Sequence, residues 1–150
     1  MRCFSNSERN LNQNQNRLLR MGSCLSVGAW GLLIWVLSSL SGQELAELDP
    51  FNVWDKAAHF LAFATGTTLL TVTLRLGTRW SWPRIALLAA LAISIFGATD
   101  EWHQLYTPHR SGGDLQDWLA DTLGAVTAAL LTSFVYARYQ RKNCPPPAGD

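Results

Sequence analysis

Four stretches of this chain carry almost no charge and are long enough, or nearly so, to cross a bilayer. That restricts the fold more than any other property. They are 22–41, 57–74, 85–99 with a continuation to 104, and 122–137. A hydrocarbon core of roughly 30 Å takes about 20 helical residues, with about 17–25 the usual range. The first two stretches qualify outright, and the last two reach that length by carrying acidic residues to the membrane edge. None shows the polar face that a helix of a water-soluble bundle requires. The expected fold is all-α, an integral membrane bundle of four transmembrane helices occupying 21–140. The mean hydropathy of +0.04 conceals this, because it averages apolar spans with polar ends. Residues 1–20, including SNSERNLNQNQNR, and 141–150, including CPPP, read as disordered tails.

The basic residues set the orientation. Arg2, Arg9, Arg17 and Arg20 precede the first stretch. Arg75, Arg79 and Arg84 lie between the second and third, and Arg138, Arg141 and Lys142 follow the fourth. Of the 12 Lys and Arg residues, this leaves Lys56 and Arg110 for the other two connections. Cytoplasmic loops collect Lys and Arg, so both termini are expected in the cytoplasm of a cell (inner or plasma) membrane protein. Glu8 and Asp150 are the only acidic residues on that side. Trp54, Trp102, Tyr106 and Trp118 then mark the outer interface, and Trp80, Trp82, Tyr136 and Tyr139 the inner one. Trp30 and Trp35 fall inside the first span and fit neither belt. The first apolar run exceeds the roughly 7–15 residues of a signal-peptide core, so a retained span is the better reading. The cysteines, Cys3, Cys24 and Cys144, lie on or near the cytoplasmic side, which argues against a disulfide framework. No basic face exists outside the inner loops, so nucleic acid is not an expected partner.

Counting inward from those charges exposes a polar layer. Arg84 to Asp100 is 16 residues, Asp121 to Arg138 is 17, and His59 to Arg75 is 16. At 1.5 Å per residue these separations are all about 24–26 Å, so the three side chains reach one depth from three helices. Helical spacing puts Asp55 with His59, Asp100 with Gln104, and Asp117 with Asp121 on shared faces, each at i,i+4. Small residues continue inward from His59 (Ala62 and Gly66), from Glu101, which shares a face with Gln104 at i,i+3 (Gly97, Ala98 and Ser94), and from Asp121 (Gly124, Ala125 and Ala128). Small residues let membrane helices approach closely, so these faces should point into the bundle. An ionised group in mid-span costs about 2.5–3.5 kcal/mol, less near the interface, and its retention makes it a candidate functional residue. The connection LYTPHRSGGDLQ is broken by Pro108, Gly112 and Gly113 and can fold Arg110 back onto Asp100 or Asp117.

Three pieces of this layer carry a family resemblance: DKAAHF at 55–60, DEWHQLYTPHR at 100–110 and DWLADTLGA at 117–125. In order and spacing they resemble the VanZ-like family, named for a teicoplanin-resistance protein, over about residues 50–130. Its pattern runs D-K-x-x-H-F, then D-E-x-x-Q with a following P-x-R, then D-x-x-x-N-x-x-G. Asp55, Lys56, His59, Asp100, Glu101, Gln104, Arg110, Asp117 and Gly124 fall on its positions. Asp121 stands where the family usually has Asn, and His109 where P-G-R is more usual. The resemblance implies a multi-pass bacterial membrane protein with an envelope-related role.

Glu101 and His59 are the candidate acid–base groups. Asp55, Lys56, Asp100, Gln104, Arg110, Asp117 and Asp121 are the candidate binding residues. Each has a plainer alternative as a packing lock. No residue is assigned to a metal and the cofactor is left open. His59 could ligate with Asp100, Asp117 or Asp121, an oxygen-rich set suited to a hard cation such as Mg²⁺, while no zinc-type spacing is present. His103, His109, Asp49 and Asp114 read as interfacial or solvated. The first functional expectation is binding or modification of an envelope component, such as a lipid-linked precursor or a glycopeptide antibiotic, at an acidic outer site beside the lipid bilayer. An enzyme would be a hydrolase or transferase, but no Ser or Cys is placed as a nucleophile. The alternatives are a small transporter or flippase subunit, which would need to oligomerise, and a structural protein whose motif fixes packing. In a variant lacking the native cysteines, Ser111→Cys is expected to react with a membrane-impermeant maleimide in intact cells; protection until lysis would reverse the assigned orientation.

Overall fold

The computed structural model describes residues 13–44 and 55–143. Within them the chain forms four long helices and no strand: α1 (Gln13–Ser39), α2 (Asp55–Gly77), α3 (Trp82–Gln104) and α4 (Leu115–Asn143). All four are long and apolar enough to cross a membrane. The expected all-α bundle is therefore present. α1 begins at Gln13, inside the segment expected to be a disordered tail, and α4 runs on to Asn143. Gln, Arg and Leu are strong helix formers, so QNQNRLLR extends the apolar helix that follows it. Residues 1–12 and 144–150 lie outside the described residues, as do Asp49 and Trp54.

α2 is the central element, packed against α1, α3 and α4, with its largest interface on α4. Outward faces are apolar: Leu32, Leu61, Leu87, Ile95, Leu130 and Val135 are all exposed. A face of that kind needs lipid, not water, around it. Inward, the small residues act as the sequence suggested. A side chain at Gly66 would overlap the Trp30 indole, and one at Gly124 would overlap the Phe60 carbonyl. Ala125 and Ala128 are buried, whereas Ala98 faces outward. Trp30, which fits no interfacial belt, is a core residue. It meets Phe63 edge-on at 5.7 Å, and its indole N–H donates to the Ala62 carbonyl at 2.9 Å. Trp35 stacks on His103 at 4.0 Å.

The two bundle ends differ. At one, Arg75 lies 5.8 Å and 5.7 Å from the Trp82 and Tyr136 rings. At the other, the chain turns from α3 to α4 through a tight connection. His109 has φ 57° and Gly113 φ 75°, both left-handed. Glycine is at ease there and histidine is strained. This gives a physical reason for glycine at position 109 in the motif that the sequence resembles. The connection also holds the far end of α1: the Gly42 amide donates to the Pro108 carbonyl at 3.2 Å, and the Thr107 hydroxyl to the Ser38 carbonyl at 3.2 Å. Just beyond, Ser41 and Glu44 cap each other reciprocally at 2.7–3.3 Å. These hydrogen bonds from Ser41 hold the Glu44 carboxyl below its ordinary value.

Three stability effects follow. Gly124→Ala forces α2 and α4 apart and should cost about 1–3 kcal/mol in detergent unfolding. Gly28→Ala, where nothing lies within 4 Å of the added carbon, should be neutral or stabilising. His109→Gly should stabilise by up to about 1 kcal/mol, because relief of the left-handed strain outweighs the added chain entropy.

Candidate functional site

The polar layer forms where α2, α3 and α4 converge near the α3–α4 connection. His59 lies on α2 one turn from Lys56, Asp100, Glu101 and Gln104 end α3, and Asp117 and Asp121 lie one turn apart at the start of α4. The helices bring these groups inward. Asp121 is fully buried, Asp100 is 1% exposed, Gln104 3% and Glu101 4%. The common depth read from the basic residues is reproduced: His59 Nδ1 lies 2.9 Å from Asp121 Oδ1, and His59 and Asp100 line one cavity. Gly97 makes room for the first of these contacts. A side chain there would press on Asp121 Oδ2 at 2.9 Å and on the Phe63 ring at 3.1 Å.

The basic partners are distributed differently from the expectation. Arg110 pairs with neither Asp100 nor Asp117; it donates to Gln104 Oε1 at 2.8 Å, and Gln104 in turn donates to Asp100 Oδ2 at 2.9 Å. Lys56 takes Asp117 instead, as well as Asp114 at 3.3 Å. Reach explains the exchange, since Lys56 is two positions into α2 and faces the start of α4 directly. Asp114, expected to be merely solvated, is a junction. Its amide donates to Glu101 Oε2 at 2.9 Å, and its carboxylate accepts from Lys56 and from the Gln116 amide. The Gln116 amide first, then Lys56, holds the Asp114 carboxyl below its ordinary value. The Gly113 amide adds a bond to the Glu101 carbonyl at 3.1 Å, so the connection is tied down on the end of α3.

A cavity of about 150 Å³ lies between α1, α2 and α3. Ile34, Leu37, Ala62 and Phe63 form its apolar wall, and Ser38, His59, Asp100, Gln104 and Arg110 its polar end. Leu37 and Ala58 are exposed, which leaves it open at the bundle surface. Glu101 does not line it; with Asp114 and Trp118 it borders a separate shallow recess. Of the sequence-selected residues, His59, Asp100, Gln104 and Arg110 thus meet at the cavity. Lys56 and Asp117 form a tie beside it, and Glu101 and Asp121 sit behind it. The Asp55 side chain lies outside the described residues. Sequence reading missed Ser38, whose hydroxyl lies 3.5 Å from Gln104 Nε2. It is one serine among Ser38, Ser39 and Ser41, and nothing in the pattern distinguishes it.

A cation would find one compact set here. His59, Glu101 and Asp121 each bring a possible ligand atom within 4.8 Å of the others. Asp100 and Asp117, weighed from the sequence as ligands beside His59, fall outside this set. Glu101 Oε1, Asp121 Oδ2 and Asp100 Oδ1 are buried and have no hydrogen-bond partner among the described residues.

Comparison with known proteins agrees with the motif. The VanZ/LLP1 family model matches residues 4–136, which takes in the first three helices, most of the fourth and the whole polar layer. No curated protein and no solved structure matches the chain. With apolar helices of spanning length and a family match over most of its sequence, the chain is a multi-pass membrane protein belonging to the VanZ/LLP1 family.

Proposed function

We propose that this protein binds the polar end of an amphiphilic cell-envelope component from within the cell membrane, with both termini cytoplasmic and the α3–α4 connection outside. The observation that carries the reading is the cavity's gradation, from Ile34, Leu37 and Phe63 to His59, Asp100, Gln104 and Arg110. An acyl or prenyl chain suits the first group, and a headgroup carrying both acceptors and donors suits the second. Its size narrows the choice. Pockets that enclose drug-sized ligands run to about 300–1,000 Å³, so about 150 Å³ admits a headgroup fragment and not a whole glycopeptide. Charge at the Arg110 end of the cavity tolerates an anionic part, although the polar layer as a whole stays acidic. Lys56 pairs with Asp114 and Asp117 beside the cavity, and the Arg110 guanidinium is bonded to a neutral amide. If the bound group is also modified, by hydrolysis or transfer, His59 is the acid–base group that reaches it.

The competing reading is a packing lock without a ligand. Its support is the chain of ties from Lys56 through Asp114 to Glu101 and from Arg110 through Gln104 to Asp100.

The readings separate in protein reconstituted in nanodiscs and titrated with a polyprenyl phosphate, a polyprenyl-pyrophosphate disaccharide–peptide and a lipoglycopeptide. Arg110→Ala should weaken binding of at least one of these about tenfold, equivalent to about 1.4 kcal/mol, with the unfolding midpoint retained. Partitioning that is equal for every probe and indifferent to Arg110→Ala would leave only the packing lock. Lys56→Met should lower stability by about 1–3 kcal/mol under either reading, because it leaves the buried Asp117 without its cation.

A further inference from the structure

We infer that His59, Glu101 and Asp121 form a binding site for a divalent transition-type cation, Zn²⁺ or Mn²⁺, held between α2, α3 and α4. The three residues come from three different helices, yet each brings a possible ligand atom within 4.8 Å of the other two. Ligand atoms around a bound Zn²⁺ stand about 3–3.5 Å apart, given bond lengths of about 2.0–2.2 Å. A modest rotation of the Glu101 and Asp121 side chains therefore closes the set.

Two further observations point to a ligand. The first is unspent acceptor capacity. Glu101 uses Oε2 on the Asp114 amide and Asp121 uses Oδ1 on His59. The second oxygen of each is buried and has no hydrogen-bond partner among the described residues; the residues themselves are only 4% and 0% exposed. A carboxylate oxygen sealed from water without a donor is costly unless a proton or a cation meets it. The second is the assignment of the nearby basic residues: Lys56 is on Asp117 and Asp114, and Arg110 on Gln104. Among the described residues, no ion pair joins a lysine or arginine to Glu101 or Asp121. Gly97 contributes space as well, since a side chain there would press against Asp121 Oδ2.

Donor chemistry selects the ion. Two carboxylates and one imidazole suit Zn²⁺ or Mn²⁺ better than Mg²⁺, which prefers an all-oxygen octahedral shell. Three protein ligands leave further coordination positions open. The aspartate at 121 supplies a charged oxygen where the usual family asparagine would offer only a carbonyl.

The inference is independent of the amphiphile reading, because cation retention is measured without any headgroup ligand and either can fail alone. Tag-free full-length protein, stripped with chelator and reconstituted in nanodiscs, is dialysed against Zn²⁺ or Mn²⁺ and its metal content measured. The expected result is about one ion per chain. Glu101→Gln and Asp121→Asn should each weaken binding at least tenfold, while Glu44→Gln leaves it unchanged. X-ray absorption of the loaded wild type should show one imidazole among oxygen neighbours, a readout that holds even if a variant fails to fold. No retention at millimolar free metal, unchanged affinity in both variants, or a coordination shell without imidazole would overturn the assignment.

Discussion

The withdrawal of Asp121 from water sets the terms for the rest of this bundle. A carboxylate in a span surrounded by hydrocarbon is tolerated only where neighbouring elements supply donors and exclude lipid. His59 supplies one contact at 2.9 Å, from the opposite helix. For α4 to approach α2 that closely, position 124 has to be glycine against the Phe60 carbonyl. For α3 to close the third side, position 97 has to be glycine against Asp121 itself. The polar layer and the small-residue stripes are therefore one requirement met by two kinds of residue. The α3–α4 connection completes it, since the Asp114 and Gly113 amides both bond to Glu101.

Much of this was legible because membrane proteins simplify the problem. Hydrocarbon admits only helices and closed barrels, and continuous apolar runs of about 20 residues fit the helix, so the length of each run translates directly into an element. Arg75, Arg84 and Arg138 served as depth markers because Lys and Arg collect at helix ends. Counting from them puts His59, Asp100 and Asp121 at one level from the sequence alone. The i,i+4 spacing of Asp117 and Asp121 correctly put both on a buried face.

What escaped the sequence was tertiary choice among equivalent partners. Arg110 and Lys56 are both within range of several acids by spacing alone. Only the path of the connection, with left-handed turns at His109 and Gly113, sends Arg110 to Gln104 and leaves Asp117 to Lys56. Asp114 resembled a solvated loop residue because its most consequential contact is made by its backbone amide, which carries no residue signature. Trp30 fitted no rule about interfaces because its role is set by Gly66 on another helix.

That last pairing affects how the molecule sits in its host bilayer. The Trp30 indole is lodged against Gly66 and bonded to the Ala62 carbonyl, so the first span cannot slip along the second without abandoning a polar contact in a greasy environment. A thinner or thicker membrane must then be accommodated by leaning of the two spans as a unit or by deformation of the surrounding lipid. The vertical alignment of Ile34 and Leu37 with His59 is preserved across membranes of different thickness.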